Sequence, residues 1–273
     1  MPADRSGDRP LRLAALLGAA GLVLVAVLYI PSVDAAVNPL VRVAVYYAVL
    51  LSFAFLAVEQ GMRLWPSFGR GEVLRAIWLS LTLGLLLWAL AEGVAAYYEV
   101  ILRQDIPYPS LADALWLLAY IPLSVGLYLR FRSLRVALEA RQWAYVLLPF
   151  LVILVPGLIL VIMPLLLDVS YGTLVERLIG AAYPVGDLML LLGVLLSALA
   201  LAGGELGRMW RLVGGGFLVV AVSDLLFTYA SWNGLYSYDS PLNWLTAVID
   251  LTYLASYILL GIGVLGHGQL HRA

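Results

Sequence analysis

The chain has 273 residues, 63% of them hydrophobic and 12% charged, with a net charge of −1 and a mean hydropathy of +0.98. A soluble fold has no interior large enough to hide that apolar share, so the composition is that of an integral membrane protein, and the near-neutral balance argues against a nucleic-acid partner. Cysteine and lysine are absent, and the two histidines, His267 and His271, read as part of a C-terminal tail. Disulfides, Cys/His metal sites, a retinal Schiff base and histidine-held haem are therefore argued against, and no cofactor is expected.

Apolar runs long enough to cross a bilayer, at about 20 residues per helix, fall near 11–30, 37–58, 74–98, 109–129, 142–166, 175–202, 209–231 and 243–266. The expected fold is all-α: one polytopic membrane domain over 1–273 with eight transmembrane helices. The first run exceeds a normal signal-peptide core and reads as a retained helix. Pro122, Pro149, Pro156, Pro164 and Pro184 fall inside runs and should kink them.

Arginine placement tests the count. With the N-terminus in the cytoplasm, the inner segments hold Arg5, Arg9, Arg12, Arg63, Arg70, Arg75, Arg130, Arg132, Arg135, Arg141, Arg208, Arg211 and Arg272, and the outer ones hold Arg42, Arg103 and Arg177. That bias follows the positive-inside rule and predicts a multi-pass protein of the bacterial inner (plasma) membrane with both termini cytoplasmic.

Five acids lie in the interior of the runs: Glu92, Asp113, Asp187, Asp224 and Asp250. A rise of about 1.5 Å per residue puts all five in the outer half of the membrane, with Asp187 somewhat deeper. A carboxylate there is costly and is by default a candidate functional group. Each acid has an aromatic three or four residues away on its own helix face: Trp88 with Glu92, Asp113 with Trp116, Tyr183 with Asp187, Asp224 with Phe227, and Asp250 with Tyr253. Tyr120 and Tyr257 follow Asp113 and Asp250 by seven. An outward-facing acidic, aromatic-lined pocket is expected, taking a small cationic or hydrogen-bonding ligand, with Glu92, Asp113, Trp116, Tyr120, Tyr183, Asp187, Asp224, Asp250, Tyr253 and Tyr257 as its binding residues.

An internal repeat is also visible. "DALWLLAYIPLSVG" (113–126) aligns with "DLTYLASYILLGIG" (250–263), matching Asp113 to Asp250, Tyr120 to Tyr257 and Gly126 to Gly263. Glu92 and Tyr97 likewise match Asp224 and Tyr229. The expectation is a four-plus-four tandem repeat with both halves in one orientation, in which Asp187 breaks the symmetry.

"YPSLADALWLLAYIPLSVGL", "AAYPVGDLMLLLG" and the segment from "SDLLFTYASWNGLY" to Asp250 carry a resemblance. Residues 75–266 resemble the multi-helix N-terminal membrane sensory regions found ahead of bacterial diguanylate cyclase and cyclic-di-GMP phosphodiesterase domains and some histidine kinases. The resemblance rests on Tyr108, Pro109, Asp113, Tyr120, Tyr183, Pro184, Asp187, Asp224, Tyr229, Gly234, Tyr236 and Asp250. It implies a sensory or ligand-binding module. No output domain follows the eighth run, so a signal is expected to pass to a separate signalling protein or membrane complex.

Three other readings compete. Buried acids can simply fix helix packing in a scaffold subunit. They can serve a cation- or proton-coupled transporter, although the inner half has no acids to continue a path. "PVGD" (184–187) resembles the GxGD signature of intramembrane aspartyl proteases, but Pro184 replaces the first glycine and no "YD" accompanies it, so no catalytic residue is assigned.

Overall fold

The computed structural model describes residues 9–134, 139–199, 204–237 and 243–272, which places Arg5 and Arg135 outside the described residues. Within them eight helices are long and apolar enough to span a membrane, and no strand occurs. They are α1 (Arg9–Leu28), α2 (Pro39–Leu64), α3 (Val73–Ala96), α4 (Leu111–Ser133), α5 (Ala140–Gly157), α6 (Leu174–Leu199), α7 (Gly204–Trp232) and α8 (Trp244–Arg272). The protein is an all-α polytopic membrane protein.

Local chemistry sets several starts. At α2, Asn38 accepts from the Leu40 amide at 2.9 Å and Pro39 takes the first helical position, where its missing N–H costs nothing. Ser110 and Asp113 form a reciprocal capping box at the start of α4. Pro122, Pro149, Pro156 and Pro184 lie inside continuous helices. The chain after α5 winds into a wide π turn, Leu158–Ile162, ahead of Pro164, which has no N–H to continue a regular ladder. A second π turn, Tyr97–Leu102, extends α3 and ends at Arg103 in the left-handed region.

Two expectations are corrected. The helices outrun their apolar stretches: α2 continues through Glu59, Gln60 and Arg63, and α7 begins at Gly204. Backbone hydrogen bonding continues past the point where polar side chains begin, so hydropathy marks the hydrocarbon core and not the helix end. His267 and His271 also lie within α8, with His267 buried at 8% exposure, rather than in a tail.

The bundle repeats its packing. In the first half α3 lies along α4, and in the second α7 lies along α8. Advancing every helix by four likewise carries α2–α3 onto α6–α7, α1–α2 onto α5–α6, and the cross-half contact α2–α8 onto α6–α4. The extra contact is α1 against α8, which α5 does not reproduce against α4. Glycines set the two principal crossings in the same manner. A Cβ on Gly84 would meet the Leu123 side chain and stand 3.2 Å from the Ala119 carbonyl oxygen; one on Gly216 would meet Leu260 at 2.7 Å and the Ser256 carbonyl at 3.0 Å. Gly126 faces Leu81 at 2.8 Å as Gly263 faces Val213 at 2.7 Å. Close backbone approach of this kind is how helices associate where lipid removes the hydrophobic drive. The outer helices α1 and α5 keep large apolar side chains on the surface, such as Leu16 and Val152, while α8 sits centrally.

Candidate functional site

The repeated crossings bring the acids together at one end of the bundle. A cavity of about 410 Å³ opens there, within the range of small-molecule sites. Residues of the α3–α4, α5–α6 and α7–α8 connectors border it, among them Tyr108, Tyr171 and Tyr236. Glu92 and Glu99 line it from α3 and its extension, Asp113 from α4, Asp224 from α7 and Asp250 from α8. Among the described residues, no arginine or histidine lines it.

Most of the acids draw hydrogen-bond donors from other elements of the bundle. Glu92 Oε1 accepts from Trp116 Nε1 at 2.9 Å, Tyr253 Oη at 2.7 Å and Tyr257 Oη at 2.8 Å. Asp113 Oδ1 accepts from Tyr183 Oη at 2.7 Å, and Oδ2 takes the Ser110 amide and hydroxyl, both at 2.7 Å. Asp250 accepts from Tyr29 at 2.5 Å and Tyr236 at 2.7 Å. Tyr120 donates to Asp187 at 2.7 Å. The same-helix pairs expected from spacing are thus exchanged for partners across helix interfaces. A phenol reaches well beyond its own helix, whereas an aspartate a turn away on the same helix is too short to meet it.

Asp113 has a local duty as well. It is the third residue of α4, and its carboxylate closes the capping box while receiving Tyr183 from α6. Its position therefore ties the start of one helix to the flank of another.

Three carboxyl groups on the cavity wall keep unused acceptors. All three donors to Glu92 converge on Oε1, and Oε2 takes none from the described residues. Glu99 lies beside Tyr47, and its Oε2 is buried without a hydrogen-bond partner among the described residues. Asp224 receives no hydroxyl or amide donor among the described residues; its neighbour on α6, Asp187, takes Tyr120 on Oδ1 and leaves Oδ2 buried without a hydrogen-bond partner among them.

Of the residues expected from sequence, Glu92, Asp113, Trp116, Tyr120, Tyr183, Asp224, Asp250 and Tyr253 line the cavity. Asp187 and Tyr257 do not line it: Asp187 accepts from Tyr120, and Tyr257 donates to Glu92. Sequence reasoning missed Glu99 and Tyr47. Glu99 follows Glu92 by seven, two turns along one face, but lies just past the end of the apolar run.

At the rim, the connectors are also tied down. Tyr108, preceding Pro109 across a cis bond, donates to the Glu176 carbonyl at 2.8 Å. Burial, followed by the charge of Asp113, raises its phenol above the usual tyrosine range. Tyr108 therefore stays a neutral donor at the cavity mouth.

Fold and site together define a class, an eight-helix membrane protein with a tyrosine-walled acidic cavity at one end. No protein-family model matches the chain, and neither the curated proteins nor the solved structures yield a significant match.

Proposed function

We propose that the protein is a membrane-embedded sensory or ligand-binding module of the bacterial inner membrane, whose cavity faces outward and takes a small organic cation. The supporting observation is that five carboxyl groups and a largely aromatic wall share one cavity with no basic residue among its described lining. A protonated amine or quaternary ammonium suits such a wall, because aromatic faces attract the cation while carboxylates neutralise it. Among the described residues no three carboxylate or imidazole groups cluster closely enough to hold a metal ion. The acids are spread around the wall, a spacing that fits an organic cation better than a bare ion.

The guest engages Glu92 Oε2, Glu99 Oε2 and Asp224. A cation at Asp224 changes the charge facing Asp187 across the α6–α7 contact, which shifts that contact and the connectors at the opposite end. The resemblance to sensory regions supports a signalling role of this kind through a separate partner, and the arginine distribution supports cytoplasmic termini. Choline tests the reading against 3,3-dimethylbutan-1-ol, its neutral isostere. Choline should raise the melting temperature of the full chain in a saturable manner, the isostere should not, and Asp224→Asn should remove the difference. Equal responses to both compounds would exclude a cation site.

A second reading has its own support. Phenols or indoles already hold Glu92, Asp113, Asp187 and Asp250, which is what a packing role for the acids requires. Under it Asp224→Asn alters stability alone, and no cation shifts the melting curve.

A further inference from the structure

The opposite end of the bundle holds a second cavity of about 430 Å³, bordered by Trp78, Arg130, Trp210 and His267. Arg130 is 7% exposed, Trp210 6% and Trp78 1%. The Arg130 guanidinium stacks on Trp210, with Cζ 4.8 Å from the ring centroid. Among the described residues it joins no ion pair, and its Nε is buried without an acceptor. The indole Nε1 groups of Trp78 and Trp210 are also buried without acceptors among those residues. Three deeply buried donor side chains therefore border one space in which no described residue accepts from them. One carboxylate, Glu205, is also on the wall, but it pairs with Arg208 at 2.6 Å on the exposed surface.

The arrangement belongs to the repeat. His267 of α8 stacks on Trp78 of α3 at 4.5 Å, as Arg130 of α4 stacks on Trp210 of α7. Each half offers one basic side chain to the other half's tryptophan, and the cavity lies where they meet. Leaving a guanidinium buried without a counter-ion is costly. An oxyanion removes that cost, and a phosphate suits it best: guanidinium and indole N–H groups are donors only, and phosphate oxygens are acceptors. The rest of the wall is Phe68, Leu74, Leu206, Leu270 and His271, whose imidazole stacks on Phe68 at 4.3 Å. Leu206 and Leu270 carry it to the helix exterior, with 42% and 38% of their surface exposed.

We propose that this cavity binds the phosphate group of an anionic phospholipid, with Arg130, Trp78 and Trp210 donating to its oxygens and the leucines guiding an acyl chain outward. A basic pocket between membrane helices is a known physical setting for such headgroups. The site makes the lipid a bridge between α4 and α7, and so between the two halves.

The test uses the full chain, delipidated in a neutral detergent. Phosphatidylglycerol, phosphatidylcholine, inorganic phosphate and glycerol 3-phosphate are added separately, with bound lipid counted by native mass spectrometry and melting followed in parallel. The expected result is one tightly retained phosphatidylglycerol per chain and a saturable rise in melting temperature that phosphatidylcholine does not give. Arg130→Gln should weaken that binding by about tenfold or more, as expected for loss of a charged hydrogen-bond donor. Arg211→Gln, at an exposed position of the same end, should leave it unchanged. Trp78→Phe keeps the ring and deletes one donor, so it serves if Arg130→Gln does not fold, and should weaken binding to a smaller degree. Saturable binding of the soluble phosphates at matching concentration would overturn the lipid source and keep the phosphate site. Equal retention of both lipids, or equal behaviour of Arg130→Gln and Arg211→Gln, would overturn the proposal.

Discussion

The halves α1–α4 and α5–α8 share a scaffold and differ in the polar groups mounted on it. Glycine crossings, helix neighbours and the pair Asp113/Asp250 repeat. Elsewhere the halves part. Asp187 of α6 has no acidic counterpart in α2, and Arg130 of α4 is answered by His267 of α8. The sharpest divergence lies where the chain leads into the second helix of each half. Asp34 and Arg42 form a fully buried ion pair, with Arg42 1% exposed and stacked at 5.8 Å from the Tyr29 ring. Asp168 and Arg177 occupy similar places, yet Asp168 takes the Trp232 indole at 2.8 Å and Arg177 donates to the Leu166 carbonyl at 3.0 Å. Repetition supplies the frame, and the departures from it supply chemistry: Tyr29, beneath Arg42, donates to Asp250 in the acidic cavity.

The largest expected effect probes that divergence. Arg42→Gln removes the cationic partner of a buried carboxylate, and removing one partner of a buried pair costs about 3–5 kcal/mol. Arg177→Gln gives up one hydrogen bond to a carbonyl, about 1 kcal/mol. Equilibrium unfolding of both variants in mixed micelles measures the gap. Equal losses would mean that the α1–α2 and α5–α6 connectors are held with the same energy despite their different partners.

A smaller effect tests the shared frame. Gly84→Ala and Gly216→Ala each push a methyl group against a facing leucine and a backbone carbonyl, and overpacking of this sort costs about 1–3 kcal/mol. The two losses should agree closely, because the surroundings are the same to within a few tenths of an ångström in the facing carbonyl distance. A tolerant Gly216 beside a sensitive Gly84 would show that one half carries the fold alone.

Much of this frame was legible in the sequence because a helix in lipid satisfies its own backbone, so apolar length is nearly the whole signal. The alignment of Asp113 with Asp250 also foreshadowed the repeated packing. Side-chain partnerships were not legible in the same way. Trp116 and Tyr253 sit three residues after Asp113 and Asp250, yet both donate to Glu92 on α3. Spacing reports which residues share a face; the glycine crossings decide which helix that face meets. Arg130 reads as one more positive-inside charge until α7 brings Trp210 over it. Glu99 fell past the end of an apolar run that the helix itself ignores.

The smallest effect separates Asp168 from Asp34 by pH. Asp168 lies outside the spans, and its carboxyl is held below the usual carboxylate range by the Ser170 hydroxyl first, then the Trp232 indole, then the Ser170 amide. A carboxyl lowered on folding contributes stability above its unfolded pKa, about 3.9, and that contribution is lost as pH falls through the lower folded value. Trp232→Phe removes one of the causes and keeps a ring beside Tyr229. Its melting temperature should fall slightly below that of the parent at about pH 6, and the gap should close on acidification below about pH 3. A gap that persists unchanged in acid would assign the loss to indole packing and leave the Asp168 carboxylate without a part in holding the α5–α6 connector to the end of α7.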